Sequence, residues 1–358
     1  MWRKAPQQGE TLPEGHGRPI LCCAVHNELL VTGSADHGLR LFNLRSREFM
    51  RELFAKRYGH TEWVTACQFT ADGRVVSGGH DSRICLWDKT GVRCNDLTGH
   101  SALITQIEVD NSNVMVSSSY DGGLLVWDVR GPGKQLAEMR GAHKHPVNAF
   151  TWQQRAVVSG GKDGTLVFWD INDPSKPLRS IKPHQGCVSK LCFFGSPDTP
   201  GPLVATAGMQ DGMVCYIDGR VGSGASAVRR YRRHDAAINA LMQGPHPHTL
   251  WTGAADSKVL LHDLRQPDTQ ADPSSCSTAL PVSGQVMCGC TLPHSDTDVA
   301  CFGTADGKVV CASFREARVL WTVRGSMGGA AIHCMKACGS QNVLVVGGDD
   351  CSPTLLSP

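Results

Sequence analysis

Seven aspartates recur along this chain, at Asp36, Asp81, Asp121, Asp163, Asp211, Asp256 and Asp306, each closing one short apolar run and opening the next. They stand 45, 40, 42, 48, 45 and 50 residues apart. A period of that size means one supersecondary unit copied many times, as in a propeller or a solenoid. A closed ring grows by adding units, so 358 residues do not by themselves call for several domains. We read residues 1–358 as one domain, with full units over about 18–323.

Within a unit the pattern is that of strands. Val64 to Phe69, Val75 to Ser77 and Ile84 to Trp87 are short runs rich in β-branched and aromatic residues, broken at Asp72-Gly73 and at Gly79-His80-Asp81. Ile104 to Val109, Val114 to Ser117 and Leu124 to Trp127 repeat it, as do Val147 to Trp152, Ala156 to Ser159 and Leu166 to Trp169. No comparable stretch carries a 3.6-residue apolar period, so the expectation is an all-β chain with almost no helix.

The composition is 41% hydrophobic and 19% charged, with a net charge of +2, which makes no electrostatic case for nucleic acid or a membrane surface. No window nears the roughly 18 apolar residues of a spanning helix, and the polar segment Met1 to Gly17 lacks the apolar stretch of a secretory signal. A reducing, cytoplasmic setting is expected, with nuclear or ciliary association left open. Of sixteen cysteines, Cys22, Cys23, Cys67, Cys85, Cys192, Cys215, Cys301 and Cys311 lie in strand-like runs, where a thiol packs as a small hydrophobe. None forms a CxxC pair, and Cys288-Gly-Cys290 and Cys334 to Cys338 lack a matched second pair, so no metal site and no cofactor are expected.

These units resemble WD repeats. Gly59-His60 opens a unit and Trp87-Asp88 closes its third strand; Gly99-His100 goes with Trp127-Asp128, and His143 with Trp169-Asp170. The resemblance implies a β-propeller of four-stranded antiparallel blades. It also implies a hydrogen-bonded network of histidine, Ser or Thr, turn Asp and Trp in each blade. Here the sets are His60, Ser77, Asp81, Trp87; His100, Ser117, Asp121, Trp127; and His143, Ser159, Asp163, Trp169. On paper each trio looks like a hydrolase triad, but three copies suit a structural device better than one catalytic pocket. Phe42, Ile217 and His262 replace the Trp in units one, five and six, and unit seven has Phe302 and Ala312 at the network positions. Those blades are expected to be held mainly by apolar packing.

Residues 330–358 offer two further strands, Ala330 to Cys338 and Asn342 to Gly348, with Pro353 to Leu356 as a third. We expect eight blades, the last taking Trp2 to Pro6 as its outer strand, with seven blades plus a C-terminal tail as the alternative. Gly195 to Pro202 and Gln266 to Ser283 read as exposed loops without packed structure, and His246-Pro247-His248 as a turn.

The chain contains no phosphate loop, HExxH or GxSxG motif and no isolated carboxylate pair, so the expectation is a non-catalytic interaction scaffold in a multisubunit assembly, without a small-molecule substrate. By resemblance, the residue before the turn Asp and one a few residues after the opening histidine face the narrow top of the ring. Those positions hold Trp63 and His80, Leu103 and Tyr120, and Pro146 and Lys162 on blades two to four; Gln210 and Ala255 follow on later blades. Trp63 reads either as a binding anchor or as filler between blades. Two other functional readings arise. Trp127-Asp128-Val129-Arg130 and His262-Asp263-Leu264-Arg265 resemble the WD-x-R tails by which substrate receptors of cullin-RING ubiquitin ligases dock, with Arg130 and Arg265 as contacts. Arg229, Arg230, Arg232 and Arg233 around Tyr231 form a basic run for RNA or an acidic protein tail.

Overall fold

The recurring aspartates all occupy one kind of turn. The residue after each, His37, Ser82, Gly122, Gly164, Gly212, Ser257 or Gly307, has a left-handed backbone with φ between 60° and 83°. In six of the seven, the Asp Oδ1 accepts the main-chain N–H two residues on, as from Gly38 at 3.0 Å, Gly123 at 2.9 Å and Met213 at 3.0 Å. The short carboxylate thus replaces a missing backbone acceptor and fixes a tight hairpin between the second and third strands.

The computed structural model describes residues 2–6, 9–53, 59–195, 203–219, 228–264, 277–292 and 298–358. They form eight four-stranded antiparallel sheets, each an up-and-down meander. Blade 1 begins with Ile20–His26, blade 2 with Val64–Phe69, blade 3 with Ile104–Val109 and blade 4 with Val147–Gln153. Blades 5 to 8 begin with Val188–Phe194, Ile238–Gln243, Val286–Thr291 and Ile332–Cys338. These innermost strands line a central channel, and the only helix among the described residues is a 3-10 turn at Met327–Gly329. No helix of the described residues is long and apolar enough to cross a membrane.

The core lies between blades. Val31 and Leu41 of blade 1 pack with Cys85 and Trp87 of blade 2, and Val116 and Val126 of blade 3 with Phe150 and Trp169 of blade 4. Every innermost strand bulges after its first residue, as between Val64 and Ala66 and between Ile104 and Gln106. The bulged residue reaches the next blade: Thr65 Oγ1 donates to Ile104 O at 2.5 Å, Asn148 Nδ2 to Val188 O at 2.9 Å, Ser189 Oγ to Ile238 O at 2.5 Å and Asn239 Nδ2 to Val286 O at 2.8 Å. Satisfying carbonyls that the bulge frees, these bonds stitch neighbouring blades near the channel mouth.

The eighth blade is present, but its outer strand differs from expectation. Glu10–Thr11 pairs with Thr354–Leu356, whereas Trp2 lies outside any strand. Trp2 is instead a buried plug among Leu292, Cys311, Trp321 and Met335 of blades 7 and 8, because its large indole gains more from that apolar site than from an outer edge. Part of the segment expected to be structureless is also ordered. Ser277–Pro281 is the outer strand of blade 6, bringing Leu280 onto Val259. Residues 196–202 and 266–276 of the two expected loops lie outside the described residues.

Candidate functional site

The histidine network is built by a turn, a strand and a hairpin meeting at one point. In blade 2 His60 Nδ1 lies 3.0 Å from Asp81 Oδ1 and Nε2 lies 2.8 Å from Ser77 Oγ, which also accepts from Trp87 Nε1 at 2.9 Å. Blade 3 repeats this with His100, Asp121, Ser117 and Trp127. A carboxylate only accepts, so Nδ1 carries the ring proton and Nε2 accepts from the hydroxyl. In blade 4 the Ser159 contacts to His143 and Trp169 are kept at 2.7 and 3.0 Å, but His143 Nδ1 has no hydrogen-bond partner. Burial pushes that imidazole down to about 4.

Three of the units expected to be degraded keep the network. His16, Asp36 and Thr32 form it in blade 1; His184, Asp211 and Thr206 in blade 5; His234, Asp256 and Thr252 in blade 6. Threonine stands in for serine, and the histidines lie in connections of unequal length, 20, 27 and 22 residues before their aspartates. In blade 6, His262 replaces the tryptophan in function as well as position, its Nε2 lying 2.9 Å from Thr252 Oγ1. Burial and the neighbouring His234 pull the His262 ring down to about 3. Blade 7 follows the apolar expectation, with Trp251 against Phe302 and Phe314 at 5.8 Å.

No network hydroxyl opens into a cavity suited to substrate: Ser77, Ser117, Ser159, Thr32, Thr206 and Thr252 are all fully buried. The residues expected to contact a partner come together on the top face. On every blade but the fifth the residue before the turn Asp donates its N–H to the residue before the inner strand, as His80 to Trp63, Tyr120 to Leu103 and Lys162 to Pro146. Trp63 is 46% exposed and tilted against the His80 ring, so it is no filler between blades. Tyr120 is 36% exposed with the Lys162 ammonium 5.9 Å from its ring centre. In blade 5 the turn is one residue longer, and Met209, 39% exposed, bonds to Cys187 O in the equivalent place. Gln210, expected there, turns down to accept from Cys187 N at 2.6 Å. The patch therefore covers blades 2 to 5.

It borders the channel. A cavity of about 340 Å³ in the upper mouth is lined by Leu103, Tyr120, Asn148, Lys190, Met209 and Met287, among others. Enclosure by the strands lowers the Lys190 pKa. The lower mouth is a larger cavity of about 640 Å³ lined by Gln106, Glu108, Asp110, Trp152 and Lys336, among others. Burial pushes the Glu108 carboxyl up to about 7.

The other predicted residues fall elsewhere. Arg130 is 69% exposed in its side chain and closed onto its own blade, with Nε 2.9 Å and Nη2 2.5 Å from the Asp128 carboxylate. Arg265 lies outside the described residues. The basic run is the outer strand Val228–Arg232 of blade 5 and the residue that follows it. Tyr231 is buried 5.0 Å from Tyr216, which removes it as a stacking platform, while Arg229, Arg230 and Arg232 remain exposed and Arg233 lies 5.9 Å from the Tyr231 ring.

Eight blades around a channel, tied by the histidine network, define a β-propeller. The family model for the WD domain, G-beta repeat, matches residues 7–43, 51–88, 91–128 and 133–170, so four successive units of this propeller match WD repeats. Over 137 residues it is 29% identical to telomerase protein component 1 of Mus musculus, covering 37% of this chain and 5% of that protein. It is 29% identical over 164 residues to the guanine nucleotide-binding protein subunit beta of Zea mays, covering 42% of this chain and 43% of that protein. The chain thus spans less than half the length of these curated relatives. Among solved structures, the computationally designed Ika8 protein superposes with a TM-score of 0.77 at 25% identity, over 97% of this chain and 98% of that one.

Proposed function

We propose that this ring is a non-catalytic docking platform that holds a partner protein on its top face over blades 2 to 5. The observation that carries this is the exposure of Trp63, Tyr120 and Met209 on blades 2, 3 and 5 around the upper channel mouth. Rigid aromatic side chains supply contact area at little entropic cost, and a cavity beside them accepts an anchor residue. The ammonium groups of Lys162 and Lys190 favour a partner segment that carries an acidic residue next to its apolar anchor. The maize relative is by its name a subunit, and a subunit role in a larger assembly suits a ring with an open face. All fifteen described cysteines are free, which fits a reducing compartment such as the cytoplasm.

The test is a cross-linked pull-down from the native cell, comparing wild type with Trp63→Ala/Tyr120→Ala and with Arg130→Glu, read by quantitative mass spectrometry. Partners depleted only in the aromatic double variant support the top face. Partners retained in it but lost with Arg130→Glu would move the contact to the opposite end of blade 3 and overturn the reading.

A further inference from the structure

The third strand of blade 2, Ile84–Trp87, pairs with the fourth, Cys94–Leu97, so that Cys85 stands opposite Asp96 and Trp87 opposite Cys94. Side chains two apart on a strand share a face, which places Cys94 and Asp96 together, and the register adds Cys85 from across the ladder. The two thiols and one carboxylate oxygen lie within 4.8 Å of one another. Asp96 Oδ1 is 3.6 Å from Cys85 Sγ and 3.7 Å from Cys94 Sγ.

We propose that Cys85, Cys94 and Asp96 form a binding site for a thiophilic divalent cation, with Zn²⁺ the ion that fits best. With Zn–S near 2.3 Å and Zn–O near 2.0 Å, a tetrahedral ion needs sulfur–oxygen edges of about 3.5 Å, close to both observed separations. The charge also balances. Two thiolates and a carboxylate around a dication leave one negative charge, and Arg83 Nη1 lies 3.5 Å from Asp96 Oδ2, the oxygen turned away from the thiols. A guanidinium holding the outer oxygen orients the inner one, as second-shell partners of metal ligands do. The Asp96 side chain is 27% exposed, so a water can complete the tetrahedron from the solvent side. Binding displaces one proton from each thiol into solvent, so affinity falls as pH falls. Another buried pair, Cys301 opposite Cys311, differs in having no third donor in such a cluster among the described residues.

Metal-free protein, kept reduced, is titrated with Co²⁺ and then with Zn²⁺. The expected result is one equivalent of Co²⁺ with thiolate-to-cobalt charge-transfer absorption, displaced by Zn²⁺. That absorption is lost in Cys85→Ser and in Cys94→Ser, and Asp96→Asn weakens binding at least about 10-fold while keeping the band. Absence of the band in the wild type overturns the proposal, as does undiminished absorption in a folded Cys85→Ser/Cys94→Ser variant, which would put the ion on other thiols of the chain. Should the serine variants fail to fold, Asp96→Asn, altered at a partly exposed position, decides: unchanged affinity contradicts the site.

Discussion

The Trp321 indole Nε1 donates to the main-chain carbonyl of Trp2 at 2.6 Å, with the two rings stacked at 6.3 Å. Trp2 Nε1 in turn donates to Asn342 Oδ1 at 2.9 Å, so one N-terminal residue bonds to both blade 7 and blade 8. The ring is therefore closed twice from the N-terminal end, by this plug and by the strand at Glu10–Thr11.

Trp2→Ala is expected to lose about 3 kcal/mol of stability, the usual cost of emptying a buried tryptophan site. Urea unfolding checks this; a loss under about 0.5 kcal/mol would show that the plug is ornamental to ring closure.

The bulge-to-carbonyl bonds between blades give a second expectation. Thr65→Val keeps the shape of the side chain but removes the donor to Ile104 O, and should cost about 1 kcal/mol. Asn239→Leu should cost a comparable amount, about 1–3 kcal/mol, since it likewise leaves a carbonyl of the next blade, that of Val286, without its donor. Thermal unfolding of the two variants against wild type measures both.

His143 makes stability depend on pH. The unfolded imidazole takes up its proton near pH 6.5, while the buried ring resists until about 4. Between those values the unfolded chain binds the extra proton, so stability falls as pH drops from about 7 to 4, and the loss is complete below about 4. The gap corresponds to about 3 kcal/mol. Asp36 and Asp121, held low through their histidine partners against the opposing pull of burial, add a further loss below about pH 4. In His143→Gln the slope of unfolding free energy between pH 7 and 4 should be shallower than in wild type; an identical slope contradicts the assignment.

Much of this ring was legible because its aspartates perform the same task in six of the eight blades. Asp36 through Asp306 each precede a left-handed residue, and that local rule shows in sequence as a period. The blade 5 network was hidden because His184 stands 27 residues before its aspartate. His16 and His234, at 20 and 22, nearly keep the spacing of 21 seen in blades 2 and 3 and were masked by the loss of the tryptophan, with Phe42 and His262 in its place. His262 was read as a lost tryptophan, although a ring N–H directed at Thr252 Oγ1 serves the same purpose. The closing strand escaped for a related reason: Glu10–Thr11 is only two residues long, too short for a period-2 pattern. On the top face, Trp63 and Tyr120 could be placed by resemblance, but Met209 depended on a one-residue insertion that only the hydrogen bond to Cys187 O reveals. The Cys85, Cys94 and Asp96 cluster is set by strand register rather than by a CxxC spacing.

Surface and core variants should separate cleanly. Trp63→Ala/Tyr120→Ala changes two exposed side chains and should shift stability by no more than about 1 kcal/mol in total while removing partner binding. Ser77→Ala, in the buried network, should do the reverse, destabilising by about 1–3 kcal/mol through the unpaired Trp87 Nε1 and His60 Nε2. Parallel melting curves and pull-downs of the two variants provide the check.

The most direct measurement of the central claim is site-specific photo-cross-linking in the native cell, with a photoreactive residue placed at His80 on the top face or at Asn111 beside the lower channel mouth. The expected result is a discrete cross-linked partner from His80, absent from Asn111 and abolished when Trp63→Ala/Tyr120→Ala is combined with the His80 probe. A partner captured from Asn111 and not from His80 would contradict it, and would assign docking to the opposite end of the channel.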